Sequence, residues 1–145
     1  MKAAQARLEF LKKDAVQGFT RYLGLVPVSL EPGTFITRLK LLKRHSQQDG
    51  FAHAGLVATI ADHTAGYAAF SVVPEDRRIL TIEYKINYFE PADGEYLECR
   101  GHVTKPGKNI LFTEAEVYSA RGKTRKLVAR AMFTMASVPV GKVSR

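Results

Sequence analysis

The stretch from His53 to about Val73 constrains this chain more than any other. Leu56, Val57, Ile60, Ala61, Ala65, Ala68, Ala69 and Phe70 leave it apolar on nearly every helical face, and Pro74-Glu75-Asp76 ends it. A helix apolar all round must be covered on most sides. The run also carries Asp62, two histidines and many small residues, so it reads as a buried helix and not as a membrane span. Gly55, Ala58, Ala65, Gly66, Ala68 and Ala69 permit close backbone approach. The rest of the chain must supply the cover.

That cover reads as strands. Leu25 to Leu30 and Phe35 to Leu42 flank the turn signal Glu31-Pro32-Gly33. After the helix, Leu80 to Phe89 alternates Ile82, Tyr84, Ile86 and Tyr88 against Thr81, Glu83, Lys85 and Asn87. Tyr96 to Thr104 sets Leu97, Cys99, Gly101 and Val103 on one face. Ile110 to Ser119 follows the turn Lys105 to Asn109, and Leu127 to Val138 follows Arg121-Gly122-Lys123. Short turns between such runs predict hairpins, hence antiparallel pairing. At the front, Leu8, Leu11, Ala15, Phe19 and Tyr22 predict one amphipathic helix over residues 7–22. The 145 residues suit one domain, 1–145, with an N-terminal helix over 1–22 and a tail over 139–145. One antiparallel sheet around one central helix satisfies the order of elements, and the class is α+β.

Charge and cysteine usage narrow the setting. A single cysteine excludes an intrachain disulfide framework and points to a reducing, cytoplasmic location. Lys12, Lys13 and Asp14 fall where the apolar core of a signal peptide would lie. The formal net charge of +8 is either a solvated surface or an attraction for an anionic ligand. No nucleic-acid module is recognisable, so nucleic acid is not an expected partner.

Few residues carry chemistry. Asp62 lies within the most apolar helix, where a carboxylate needs a partner or a task. It either bonds a backbone amide, pairs with a base, or reacts. His53, Ala54 and Gly55 stand where that helix begins, and helix starts expose unpaired N–H groups suited to a developing oxyanion. Taken alone, these three read most simply as a plain helix start. His53 and Asp62 are nine residues apart, ~13–14 Å along the axis. Either the two features are unrelated or a second copy of the chain brings them together. Asp62 and His63 point about 100° apart and make no dyad. The four histidines show no metal-ligand spacing, there is no G-x-S-x-G elbow, and no metal is expected.

The stretch from His45 to Ala69 resembles the signature of PaaI-like hotdog-fold acyl-CoA thioesterases. Gln47, then His53-Ala54-Gly55 six residues on, then Ile60-Ala61-Asp62 fall at that family's spacings. Thr81 to Ala92 resembles its next strand, Val103 to Asn109 its glycine-basic turn, and Gly122-Lys123 with Ala129 its last hairpin. The resemblance spans residues 20–138. It implies a hotdog fold and hydrolysis of an acyl-CoA or aryl-CoA thioester without a cofactor. It implies that the Ala54 N–H, with Gly55 nearby, receives the carbonyl, and that Asp62 of a partner chain activates water or attacks. Gln47 would position the thioester, Thr81 the water, and His53 the helix start, while Lys105, Gly107 and Lys108 would meet CoA. The implied assembly is a homodimer or a dimer of dimers. Ala54 replaces the family's middle glycine, which keeps the N–H but adds a Cβ that touches on acyl preference.

Two other functions fit the same pattern. One is a non-catalytic acyl-CoA binding or sensor module. The other is a hydratase, which would need a His paired with a carboxylate, and no such pair is visible in the sequence.

Overall fold

A computed structural model describes residues 1–143. Ser144 and Arg145, the end of the expected tail, lie outside the described residues. The rest of that tail is the end of a strand followed by a single 3-10 turn, Val140–Lys142.

The chain folds as α1 (Lys2–Asp14), α2 (Gly18–Leu23), β1 (Leu25–Glu31), β2 (Thr34–Lys40), α3 (Ala54–Phe70), β3 (Arg77–Tyr88), β4 (Tyr96–Lys105), β5 (Ile110–Arg121) and β6 (Thr124–Pro139). All six strands form one antiparallel sheet in the order β1-β2-β4-β5-β6-β3. The sheet wraps α3, which contacts every strand. Leu97, Cys99, Leu111, Ala115, Val117, Phe133 and Met135 come from the sheet and meet Val57, Ile60, Ala61, Ala65 and Ala69 of the helix. Gly101 sets the closest approach. A Cβ built there would lie 2.8 Å from the backbone of Thr64 and Ala65.

The expected helix over 7–22 is two helices. Asp14 accepts a bond from the Gln17 amide at 2.7 Å, and Gln17 caps α2, its backbone N–H donating to the Thr20 hydroxyl at 3.3 Å. This local capping turns the chain after Ala15. Leu11 and Ala15 are buried in a second cluster with Leu30, Phe35 and Ala68. Phe19 and Tyr22, expected on the same face, are exposed.

The small residues of α3 also divide differently from expectation. Ala58, Ala65, Ala68 and Ala69 are buried within the protomer, so they give the helix its fit beneath the sheet. Only Gly55 and Gly66 of that set stay outside the buried core. The open side of α3 is lined by Ala54, Gly55, Thr59, Asp62 and Gly66. Beside it runs β3, an edge strand that among the described residues pairs with β6 alone, with Leu80, Ile82 and Tyr84 exposed.

Candidate active site

Asp62 is half-buried on that open side of α3. The Thr81 hydroxyl donates to its Oδ1 at 2.6 Å, and no cation lies within ion-pairing distance among the described residues. The bulge between Thr81 and Glu83 breaks the β3–β6 register at this point. Up to Thr81 the pairing is regular, so Thr81 shares the helix-facing side with Ile79 and, opposite Met135, also meets its sulfur at 3.3 Å. The outcome is a carboxylate with one oxygen fixed by a hydroxyl and the other without a partner among the described residues. Among those residues it bonds neither a backbone amide nor a base.

The helix start is a second constellation. His53 takes the N-cap position, its Nδ1 accepting the Gly55 N–H at 2.9 Å. Its own N–H donates to His45 O at 2.8 Å, which ties the cap to the preceding loop. Leu56 and Val57 donate to His53 O. The Ala54 N–H donates to nothing among the described residues, and Ala54 is exposed. The Tyr88 hydroxyl donates to Ala54 O at 3.0 Å and so anchors this end of α3 to the end of β3. Of these two N–H groups at the helix start, Gly55 is capped and Ala54 has no partner among the described residues.

Gln47 lies in the loop before α3. Its amide donates to Asp49 at 3.2 Å, and its backbone N–H donates to Phe51 O at 2.8 Å. It belongs to the helix-start region and has no bond to Asp62. Lys105, Gly107 and Lys108 sit exposed in the β4–β5 turn, near the other end of α3. Arg77 holds that turn by donating to Lys108 O at 2.9 Å and to Asn109 at 3.0 Å. A cavity of about 530 Å³ opens beside it, lined by Val73, Pro74, Arg77, Gly107 and Lys108.

One protomer thus joins Asp62 to Thr81, and separately joins His53, Ala54 and Gly55. Ala54 and Asp62 remain eight residues apart on one straight helix, ~12 Å along its axis.

Apart from Thr81, the sequence did not point to the groups around Asp62. A cavity of about 310 Å³ beside it is also lined by Asp14, His63, Tyr67, Phe70, Arg78 and Thr81. The Tyr67 hydroxyl donates to Asp14 at 2.7 Å, and burial followed by that bond pushes the phenol above its ordinary pKa. His63 donates through Nε2 to Ala15 O at 2.7 Å, and burial holds it below the usual imidazole range. His63 is therefore a neutral tether between α3 and α1, as its divergence from Asp62 implies. Asp14 comes from α1, 53 residues before Tyr67, and only folding brings the two together.

Comparison with known proteins follows the same geometry. The thioesterase superfamily model matches residues 49–126, more than half of the chain and the whole of α3. Human acyl-coenzyme A thioesterase 13 is 31% identical over 120 residues, covering 81% of this chain and 84% of that protein. A thioesterase family protein from Silicibacter pomeroyi superposes with a TM-score of 0.87 at 32% identity, covering 91% of this chain and 98% of that one. A Streptococcus mutans protein bound to acetyl CoA superposes with a TM-score of 0.72 at 25% identity, covering 80% of this chain and 90% of that one.

Proposed function

The chain belongs to the thioesterase superfamily, has the hotdog fold and is a thioester hydrolase; from that premise we propose that it cleaves acyl-CoA thioesters to a free acid and CoA at sites shared between two protomers. The observation that carries this reading is the 2.6 Å bond from Thr81 to Asp62 beside an open cavity. A carboxylate with one lone pair fixed by a hydroxyl presents its other oxygen in a defined direction, as a general base or a nucleophile must.

The reaction needs two things at the thioester carbon. Its carbonyl oxygen takes negative charge as the tetrahedral intermediate forms, and the Ala54 N–H at the positive end of α3 is the donor for it. His53 supports that donor by capping Gly55, and Gln47 borders the same entrance. Asp62 takes a proton from a water whose oxygen adds to the carbon, or adds directly to the carbon and forms an anhydride that water then hydrolyses to free acid and Asp62, with Thr81 holding its orientation. On either route the C–S bond breaks as the tetrahedral intermediate collapses, and the thiolate of CoA leaves and takes up the proton.

Both groups must meet one carbonyl within ~3 Å, yet they are ~12 Å apart in a protomer. A two-fold dimer removes the conflict. β3 offers an unpaired edge of 12 residues with exposed Leu80, Ile82 and Tyr84, which suits pairing with a second copy. Antiparallel pairing there lays two α3 helices antiparallel, so that each helix start faces Asp62 of the partner subunit. The acetyl CoA in the Streptococcus mutans neighbour is in keeping with CoA as the leaving group. The exposed turn with Lys105, Gly107 and Lys108 is the proposed seat for its phosphates.

The test is a hydrolysis screen over acyl-CoA and aryl-CoA thioesters with wild type and Asp62→Asn. Turnover in the wild type that disappears in the variant is the expected result. Tight binding without turnover of any member would replace the reading with a binding module.

A further inference from the structure

The cavity at Asp62 does not end there. It adjoins a second one of about 560 Å³ between α1 and the end of α3, and both are walled by Asp14, Phe70 and Arg78. Together they form a groove leading away from the proposed reacting carbon, where the acyl portion of a thioester would run.

Arg7 and Arg78 face Asp14, Asp62 and Glu75 across this groove, and the two guanidiniums differ in how they are engaged. The guanidinium groups of Arg7 and Arg78 both lie 5.5 Å from the centre of the Phe70 ring. Arg7 is engaged through both terminal nitrogens: it donates to Phe70 O at 3.3 Å and Val73 O at 3.0 Å, and pairs with Glu75 at 3.8 Å. Asp14 is engaged as well, one oxygen accepting from Tyr67 and the other from Gln17, both at 2.7 Å. Arg78 donates only through one terminal nitrogen, to Glu75 O at 3.2 Å and Arg77 O at 2.9 Å. Among the described residues it meets no carboxylate within ion-pairing distance. Its Nε and second terminal nitrogen therefore have no partner among the described residues and lie along one edge, with the guanidinium held over the Phe70 ring.

We propose that this groove selects acyl groups carrying a carboxylate at their far end, with Arg78 as the residue that recognises it; the substrates are monothioesters of dicarboxylic acids. The inference rests on the reading of Asp62 as the reacting carboxylate. An aligned guanidinium edge matches a carboxylate with two parallel bonds. A plain alkyl end would cover those donors without replacing their bonds to water, which is unfavourable. Arg78 precedes Thr81 by three residues, ~10 Å along an extended strand, so the thioester carbonyl and the terminal carboxylate of the acyl group are separated by about that span.

The experiment measures kcat/KM for length-matched pairs of acyl-CoA and terminally carboxylated acyl-CoA thioesters, with wild type and Arg78→Met. Wild type is expected to favour the carboxylated member by about tenfold or more at the length that spans the groove. Arg78→Met is expected to abolish that preference. Arg78→Lys, which keeps the charge without the fork, should reduce it, and serves if the Met variant fails to fold. No preference in the wild type, or a preference that survives loss of the guanidinium, overturns the proposal. Binding of the corresponding thioether analogues is measured in parallel. If nothing is hydrolysed but the carboxylated thioether binds more tightly through Arg78, the hydrolytic reading fails and the groove assignment stands. If the thioethers bind alike, the groove assignment fails whatever the turnover.

Discussion

A carboxylate oxygen bonded at 2.6 Å to a hydroxyl has a fixed orientation, and the consequences can be measured one residue at a time. Asp62→Asn keeps the shape and the bond to Thr81 but removes the base, and is expected to lower kcat by ~10²–10⁴-fold with unchanged thermal stability. Thr81→Val leaves the base but frees its orientation. Its expected effect is a fall of about 10-fold to 100-fold in kcat with little change in KM. A larger effect of Thr81→Val than of Asp62→Asn would reverse the roles assigned to them. Asp62 was legible in the sequence because one acid stands alone in an apolar helix. Thr81 was legible only through family resemblance, since a threonine in a strand is common. Asp14, Tyr67 and Arg78 were not legible, because α1, α3 and the start of β3 converge only after folding.

At the scale of elements, local periodicity carried most of the fold. The hairpins from β4 to β6 join strands adjacent in sequence, and their turns are written in Gly107 and Gly122. The place of β3 beside β6 was not readable, because its partners lie some fifty residues on, as Tyr84 opposite Phe133 illustrates. The break between α1 and α2 was hidden because apolar spacing continues across Ala15 to Phe19, while Gln17 and Thr20 decide the turn. The fit of α3 beneath the sheet depends on Gly101. Gly101→Ala places a Cβ 2.8 Å from helix backbone, and is expected to cost ~1–3 kcal/mol in urea unfolding. On the sheet face turned away from α3, Glu98 ties β2, β4 and β6 by bonds of 2.9–3.0 Å to Arg38, Arg100 and Arg125. Burial alone would raise its pKa, but the guanidiniums of Arg38 and Arg100 outweigh burial and hold it below the ordinary glutamate range. A carboxyl whose folded pKa is depressed contributes fully above its unfolded value and loses that contribution as pH falls through the folded one. The melting temperature of wild type should thus fall more steeply below the ordinary glutamate range than that of Glu98→Gln. Parallel curves would remove Glu98 from the acid response.

For the whole molecule, net charge and assembly are the levers. If the phosphates of CoA lie at Lys105 and Lys108, KM should rise with salt, because exposed charges are screened beyond ~8 Å at physiological ionic strength. The rise should be smaller in Lys105→Gln with Lys108→Gln, and an unchanged salt dependence would move CoA elsewhere. The central claim is that each site takes Ala54 from one protomer and Asp62 from the other, and subunit mixing tests it most directly. Asp62→Asn removes the acid. Ala54→Pro removes the donor, at the first helical position, where proline is favoured. His53, at φ −60° and ψ 135°, already has the backbone a residue before proline requires. Each variant is expected to fold and to be inactive alone. After equal mixing with subunit exchange, half the dimers hold one doubly defective site and one intact site, so activity should return to about a quarter of wild type. Verified mixed dimers that remain inactive, or a stable monomer with full activity, would contradict the shared site.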